Sequence, residues 1–277
     1  MSCIIIRRAR FSASHRYWLD ELSEEENWER FGPTSRFPGH GHNYTLYVSM
    51  HGPVDAYGMV LNLSDVKQII KREITSQLDF AYLNQVWPEF GRSLPTTEHI
   101  ARTIFDRLRP HLPVVRVQLH ESEDLWAEYQ GEGMQAYLTV GGHFAAAHRL
   151  ALDTLSLEEN TEIYGLCARP NGHGHNYLLE VTVRGDIDER TGMLVDLVKL
   201  QKVIEDKVLL PFDHTFLNKD VPYFAEVVPT AENIALHIRD LLEGPVLTLG
   251  AHLHRVKLVE SPNNSCEVLS DYAPLLA

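Results

Sequence analysis

The chain has little cysteine, a deficit of positive charge and no long apolar run. Its three cysteines, Cys3, Cys167 and Cys266, form no disulfide framework and suit a reducing compartment. Lys and Arg number 25 against 38 Asp and Glu, for a net charge of −13, which argues against nucleic acid or an anionic membrane as the main partner. The run Ile4–Ile6 is too short for a secretory signal, and no segment approaches a transmembrane length. We therefore expect a cytoplasmic protein that binds neither nucleic acid nor membrane.

Histidine, in contrast, is abundant and patterned. The hexapeptide Gly-His-Gly-His-Asn-Tyr occurs twice, at Gly39–Tyr44 and Gly172–Tyr177, and each copy follows a further histidine by 25 residues. A His-x-His pair on a strand places both imidazoles on one face. Three imidazoles without a nearby carboxylate or thiolate describe an open Zn²⁺ site, whose fourth position is left for water or substrate. The candidate metal ligands are His15, His40 and His42 in the first copy, and His148, His173 and His175 in the second.

All three histidines recur at one offset of 133 residues, which disfavours the ordinary interpretation as scattered surface or core histidines. An offset this long indicates a tandem duplication rather than a solenoid. The 277 residues suit two domains of about 130 residues each, a size that can bury a core. We predict a first repeat at 1–130 and a second repeat at 134–277, joined by a short glycine-containing linker.

Each repeat shows the same order of elements: two strands, two helices and two strands. The predicted first strands are Ile4–Ser14 and Ala136–Ala147, and the last are Val114–His120 and His254–Val259. Apolar residues recur every three or four positions in Leu63–Leu78 and Leu197–Leu210, as in amphipathic helices. Antiparallel strands with both helices on one face predict an α+β sandwich.

The two repeats differ at positions where the second repeat has side chains that can transfer a proton. Cys167 of the second repeat corresponds to Thr34, and His214, which follows Asp213, corresponds to Phe80. A cysteine near a metal can act as a thiolate base or nucleophile, and a histidine beside a carboxylate is a common acid/base pair. Cys167 alone could equally be a small buried apolar residue. The joint loss of thiol and imidazole in the first repeat is better explained by one lost activity.

Carboxylates at the ends of the last strands are candidate substrate ligands. Glu121 and Glu260 occupy this position in the two repeats, where an ordinary solvated strand end is the alternative. A carboxylate here could accept two hydrogen bonds from a substrate that presents two donors side by side, such as an amino group beside a ring N–H. Thr230 and Glu232 are weaker candidates for substrate binding, because both also suit the first turn of a helix.

With these residues assembled, each repeat resembles a 6-pyruvoyl-tetrahydropterin synthase domain, over nearly the whole chain. In the second repeat the matching segments are Phe144–Arg149, Leu155–Asn160, Tyr164–Tyr177, Thr191–Asp196, Asp213–Asn218, Thr230–Ile234 and Glu260. The resemblance implies the tunnelling fold (T-fold), in which each unit has a four-stranded antiparallel sheet and two helices. It also implies Zn²⁺ on His148, His173 and His175, Cys167 as proton-abstracting base, Asp213 and His214 as acid/base partners, and Glu260 as anchor for the pterin ring.

The resemblance further implies a zinc-dependent carbon-oxygen lyase. Its pterin triphosphate substrate would be 7,8-dihydroneopterin triphosphate, converted to 6-pyruvoyl-tetrahydropterin with loss of triphosphate. Two alternatives stay open: a 6-carboxytetrahydropterin synthase of the queuosine route, and a non-catalytic zinc- or pterin-binding protein. Five residues separate Cys167 from His173, a spacing that resembles the pyruvoyl-forming branch.

The first repeat departs from the family pattern at Thr34, Phe80 and His99 but keeps its metal ligands and Glu121. We expect it to be a degenerate domain that binds Zn²⁺ without turnover. Members of the family join edge to edge, with active sites where units meet. The resemblance therefore implies a homo-oligomer, a trimer of tandem subunits or a multiple of it.

Overall fold

The structure is a computed structural model that describes residues 1–270. It divides into two compact units. Unit 1 comprises Met1–Thr139 and Arg184–Val198, and unit 2 comprises Val140–Val183 and the chain from Lys199. The units therefore differ from the sequence repeats, since the segment Arg184–Val198 of the second repeat packs as part of unit 1.

Unit 1 is built on one sheet with the strand order β5-β4-β2-β1-β3. The strands are β1 (Ser2–His15), β2 (His40–Pro53), β3 (Ala81–Tyr82), β4 (Val114–His120) and β5 (Leu125–Tyr129). The long strands pair antiparallel, and the short β3 pairs with β1 in parallel. The helices are α1 (Glu24–Phe31), α2 (Leu63–Ile70), α3 (Ser76–Leu78), α4 (Leu83–Val86) and α5 (Thr97–Leu108). A π-helical segment, Lys71–Thr75, joins α2 to α3, and 3-10 turns cover Gly32–Ser35 and Pro88–Gly91.

Unit 2 repeats this arrangement with the order β10-β9-β7-β6, and its short β8 pairs with β6 in parallel. The strands are β6 (Gln135–His148), β7 (His173–Asp186), β8 (Thr215–Phe216), β9 (His252–Ser261) and β10 (Asn264–Leu269). The helices are α6 (Leu157–Tyr164), α7 (Leu197–Ile204), α8 (Leu210–Phe212), α9 (Leu217–Asp220) and α10 (Ala231–Thr248). Three of these elements are shared between the units. Unit 2 contains residues 140–148 of β6, 173–183 of β7 and 199–204 of α7. A π-helical segment covers Glu205–Leu209, and 3-10 turns cover Gly165–Ala168 and Pro222–Ala225.

Local sequence signals explain several of these elements and confirm the α+β class. Ser23 and Glu26 form a complete capping box at the start of α1, and Ser156 and Glu159 form the same box at α6. In β2, Tyr44, Leu46, Val48 and Met50 are fully buried, whereas the intervening side chains of the strand's first half face outward. Within residues 1–270 we find no helix with the length and apolar character needed to cross a membrane.

Candidate metal centres and active site

The β1–β2 pairing assembles the imidazoles of unit 1. The antiparallel register sets His15 opposite His40 and Ala13 opposite His42. Phe11 and Ala13 are buried on the same face of β1 as His15, because alternate side chains of a strand share a face. The strand pattern that builds the core therefore also delivers three histidines to one end of the sheet.

The two triads have almost the same geometry. In unit 1 the ring centroids lie 4.6 Å (His15–His40), 5.1 Å (His15–His42) and 4.9 Å (His40–His42) apart. The corresponding separations among the unit 2 rings are 4.6, 5.2 and 4.9 Å. The six predicted ligands are thus brought together in two groups of three, His15, His40 and His42, and His148, His173 and His175.

A backbone carbonyl sets the tautomer of the central histidine in each triad. His148 Nδ1 donates to the Pro229 carbonyl at 2.7 Å, and His15 Nδ1 donates to the Pro95 carbonyl at 3.0 Å. A neutral ring that donates from Nδ1 carries its lone pair on Nε2, the atom that faces the neighbouring imidazole. The His148 and His173 Nε2 atoms are 3.1 Å apart. Such a tautomer is the one a metal ligand needs.

Burial favours the neutral form of His15, His148 and His173. It lowers the pKa of His15 to about 3, and the neighbouring His40 adds to that shift. Burial also lowers the pKa of His148 and of His173. The buried Nε2 atom of His175 has no hydrogen-bond partner, an unfavourable state that a bound cation would relieve. The donor set therefore fits a divalent metal of the zinc type in both units.

The carboxylates beside the triads are held differently. In unit 1, Glu121 Oε1 lies 3.3 Å from His42 Nε2, and the Thr97 hydroxyl donates to Glu121 Oε2. Glu121 thus joins the three histidines in one group of potential ligands, although the sequence predicted it to bind substrate. In unit 2, Glu260 Oε1 is 3.8 Å from His148 Nε2 and from His175 Nε2. The residue at the position of Thr97 is an alanine, Ala231, which offers no hydroxyl.

Cys167 lies on the 3-10 turn before β7, with its thiol free and partly exposed. Burial raises the pKa of Tyr177, and the charges of Glu260 and Cys167 raise it further, which puts Cys167 within electrostatic range of this tyrosine. The Tyr177 hydroxyl is 3.4 Å from His148 Nδ1. In unit 1 the Thr34 hydroxyl donates to the Phe31 carbonyl at 2.6 Å, so it is bound within its own turn.

In unit 2 the side chains of Asp213 and His214 are hydrogen-bonded to each other. His214 Nδ1 is 2.7 Å from Asp213 Oδ2, and Asp213 Oδ1 accepts the Ala145 N–H at 2.8 Å. These two bonds, the backbone one first, lower the pKa of Asp213. His214 is exposed, has a positive φ of 57°, and lines a recess of about 390 Å³ together with His175. No hydrogen bond within residues 1–270 links the pair to the Cys167 thiol.

Thr230 and Glu232 lie at the start of α10. The Thr230 hydroxyl caps the helix by accepting the Asn233 N–H, and Glu232 is exposed in its first turn. At the same place in unit 1, Thr96 caps α5 and Glu98 is only 3% exposed. Burial raises the pKa of Glu98 to about 7.

Sequence reasoning missed the residues that support the triads. No sequence motif identified the Pro95 and Pro229 carbonyls as hydrogen-bond partners of the metal-ligand histidines, although each proline directly precedes the threonine that caps α5 or α10. The difference between Thr97 and Ala231 was present in the sequence, but nothing local linked Thr97 to Glu121. That contact depends on the packing of α5 beside β4 and β5.

Comparison with known proteins shows that both repeats match one family. The sequence model of the family described as 6-pyruvoyl tetrahydropterin synthase matches residues 4–132 and again 137–271. The human protein named 6-pyruvoyl tetrahydrobiopterin synthase is 48% identical over 134 residues, which are 48% of this chain and 91% of the human one. A protein of Archaeoglobus fulgidus named putative 6-carboxy-5,6,7,8-tetrahydropterin synthase is 38% identical over 90 residues, 32% of this chain and 73% of its own.

Among solved structures, the 6-pyruvoyl tetrahydropterin synthase of Caenorhabditis elegans matches with 36% identity and a TM-score of 0.46. The match covers 50% of this chain and 98% of the nematode chain. These relatives each correspond to about one repeat.

Proposed function

The chain belongs to the 6-pyruvoyl tetrahydropterin synthase family, and on that premise we propose that its second repeat is a pterin synthase of the lyase type. The substrate in this proposal is 7,8-dihydroneopterin triphosphate, and the products are 6-pyruvoyl-tetrahydropterin and triphosphate. The observation that carries the proposal is the unit 2 triad in a unit that also contains the free thiol of Cys167, because the otherwise matching unit 1 has Thr34 in place of that cysteine.

We assign the metal to His148, His173 and His175. The chemistry of three neutral imidazoles suits Zn²⁺, which when bound supplies a Lewis acid that polarises a side-chain oxygen of the substrate. The protein holds these imidazoles ready through the Pro229 carbonyl, which keeps His148 in the tautomer with a free Nε2.

Proton transfer falls to Cys167 and the Asp213–His214 pair. The Cys167 thiolate takes the proton from the side-chain carbon next to the one that bears the triphosphate, and the electron pair left behind forms a carbon–carbon double bond as the carbon–oxygen bond to triphosphate breaks. His214, oriented by Asp213, relays a proton to or from the side-chain oxygens. No external oxidant or reductant is needed, since oxidation of the side chain is balanced by reduction of the pterin ring.

Glu260 is the proposed anchor for the pterin ring, with Thr230 and Glu232 at the edge of the same site. A carboxylate can accept two parallel hydrogen bonds from an amino group and an adjacent ring N–H. Glu260 is partly exposed and at 3.8 Å from the imidazoles, so its oxygens are available to such a partner.

Unit 1 is proposed to bind a metal without turnover. Glu121 is placed to serve as a fourth ligand, which would close the site in the manner of a structural zinc centre. Thr97 holds the other oxygen of this carboxylate. This role replaces the substrate-binding role that the sequence predicted for Glu121.

The decisive experiment supplies 7,8-dihydroneopterin triphosphate to the purified zinc-loaded chain and measures triphosphate release together with the mass of the pterin product. We expect release and a product that keeps all three side-chain carbons. A product shortened to a carboxylate would assign the chain to the 6-carboxytetrahydropterin branch instead.

Cys167→Ala tests the role of the thiol. We expect a loss of about 10²- to 10⁴-fold in the rate of triphosphate release, the usual contribution of a positioned base, with both metals retained. Thr34→Ala at the matching position of unit 1 is the control and should leave the rate unchanged. If Cys167→Ala released triphosphate at the wild-type rate, the proposed mechanism would be wrong.

A further inference from the structure

A recess on the surface of unit 1 contains none of the triad residues. It has a volume of about 880 Å³ and is lined mainly by two arginines, three aromatic residues and two glutamates, and its size lies in the range of small-molecule sites. Beyond β1 the chain continues to alternate, so that Tyr17 and Leu19 are buried like His15, whereas Arg16 and Trp18 are partly exposed. Arg16 and Trp18 line the recess, and the function proposed above uses neither of them.

Both arginines of the recess are stacked on tryptophan rings. Arg16 Nε donates to the Ser35 carbonyl at 2.7 Å, and its guanidinium carbon lies 3.8 Å from the centre of the Trp18 ring. The guanidinium carbon of Arg36, also in the recess, lies 5.1 Å from the centre of the Trp28 ring. Among residues 1–270, the salt bridges of arginine involve neither Arg16 nor Arg36. A guanidinium held in this way, without a carboxylate partner, suits a phosphate.

The aromatic side chains beside these arginines are open to solvent. Phe37 is 83% exposed and Trp28 is 45% exposed. A stacked guanidinium covers only one face of a ring, so much of the Trp28 indole is available to a ligand. Clustered exposed aromatic side chains mark surfaces that bind a partner or ligand, and rings of this kind stack with nucleic-acid bases.

Unit 2 has the same two arginines without the aromatic residues. Arg149 Nε donates to the Ala168 carbonyl at 3.0 Å, as Arg16 does to that of Ser35, so this bond belongs to the common fold. At the three aromatic positions unit 2 has Ala151 for Trp18, Thr161 for Trp28 and Pro170 for Phe37. The fold therefore does not require the three rings, and their exposure gives them no role in the core of unit 1.

The recess also has an acidic wall. Glu24 and Glu25 are exposed in the first turn of α1 and line the recess opposite in charge to the arginines. A carboxylate is the group that accepts hydrogen bonds from ribose hydroxyls in many nucleotide sites. Two carboxylates also repel a long anionic chain, which favours a ligand with one phosphate over a triphosphate.

We propose that this recess binds a nucleoside monophosphate. The base would stack on Trp28 and contact Phe37, and the phosphate would accept hydrogen bonds from Arg16 and Arg36. The ribose hydroxyls would donate to the acidic wall. The three kinds of side chain in the recess thus match the three parts of one ligand, and the inference does not depend on the reaction assigned to unit 2.

The first test is a calorimetric titration of the purified, metal-loaded chain with adenosine monophosphate. We expect one nucleotide to bind per chain. Adenosine and inorganic phosphate should each bind at least about tenfold more weakly, because each lacks one half of the contacts. Absence of binding at about 1 mM nucleotide, or equal affinity for adenosine and its monophosphate, would overturn the proposal.

The second test places the ligand in the recess. Trp28→Ala should weaken nucleotide binding about 5- to 100-fold, the usual worth of one base–aromatic stack, and Arg36→Gln should weaken it at least about fivefold. Both side chains are exposed, so the far-ultraviolet circular dichroism should not change. The matched controls in unit 2 are Thr161→Ala and Arg169→Gln, which should bind as the wild type does. Wild-type affinity in Trp28→Ala, or an equal loss in Arg169→Gln, would contradict the site.

A third measurement separates the recess from the proposed pterin site, which could also admit a purine. Glu260→Ala should leave the affinity for adenosine monophosphate unchanged, and loss of binding in that variant would place the nucleotide at the pterin site instead. Without nucleotide, Trp28→Ala should release triphosphate at the wild-type rate. Failure of the proposed reaction and failure of the nucleotide site are therefore separate results.

Discussion

Unit 1 and unit 2 hold the same three imidazoles in nearly the same geometry but differ in the groups around them. The triad depends on a strand pairing and a proline carbonyl, both of which belong to the backbone and are present in both units. The proposed chemistry depends on individual side chains, Cys167 and His214, which can be lost without disturbing that backbone. The comparison teaches that the backbone fixes the histidine triad independently of the side chains to which we assign the reaction.

Asp79 and Phe80 show how selectively unit 1 has changed. Asp79 Oδ1 accepts the Ser12 N–H at 2.9 Å, as Asp213 does with Ala145 at 2.8 Å, so the aspartate ties a loop to the first strand in both units. Phe80 keeps the positive φ of His214, 58° against 57°, and is 90% exposed. Unit 1 therefore keeps the aspartate and its bond to the first strand, but it has Phe80 in place of the imidazole that could transfer a proton.

The largest expected effect comes from removing one ligand from each triad. His173→Ala should lower the rate of triphosphate release at least about 100-fold and the bound metal from two ions per chain to one, because the substrate oxygen loses its Lewis acid. His40→Ala should lose one ion as well but leave the rate within about twofold. Elemental analysis beside the activity assay measures both. Equal activity losses in the two variants would erase the functional distinction between the units.

A smaller effect is expected in metal release. With His173→Ala only unit 1 keeps its triad, and with His40→Ala only unit 2 does. We expect unit 1 to release its ion to a chelator at least about tenfold more slowly, since Glu121 would supply a fourth ligand there. Adding Glu121→Ala should abolish this difference, whereas Glu260→Ala should change the unit 2 rate little. Release that is equally fast from both sites would argue against a fourth ligand in unit 1.

The smallest effect concerns Glu98 and Glu232. The raised pKa of Glu98, about 7, means that folding favours its protonated form. Its contribution to stability is therefore complete below the usual pKa of a glutamate and is lost as the pH rises through about 7. Glu98→Gln should remove this loss of about 1–3 kcal/mol. Thermal melts from pH 5 to 8 measure it.

The same measurement on Glu232→Gln provides the matched control. Glu232 is exposed at the matching position of α10, so we expect this variant to leave the pH dependence of stability unchanged. If the melting temperature of Glu98→Gln depended on pH in the same way as that of the wild type, burial of Glu98 would not govern the pH dependence of stability.

Much of the candidate site could be predicted from the sequence because its signals are local or repeated. Strand alternation places His40 and His42 on one face, and the capping boxes at Ser23 and Ser156 mark two helix starts. The second capping threonine, Thr230, was visible for the same reason. Such signals lie within a few residues of one another, so no knowledge of long-range packing is needed.

The sequence by itself determined the duplication, the α+β class, the two histidine triads and the loss of Cys and His from the first repeat. Only the tertiary structure decided that Glu121 lies beside His42, that Pro95 and Pro229 set the ligand tautomers, and that the segment Arg184–Val198 belongs to unit 1. Each of these depends on groups tens of residues apart whose distance is set by how helices and loops pack on the sheet. Periodicity and motif spacing carry no information on that packing.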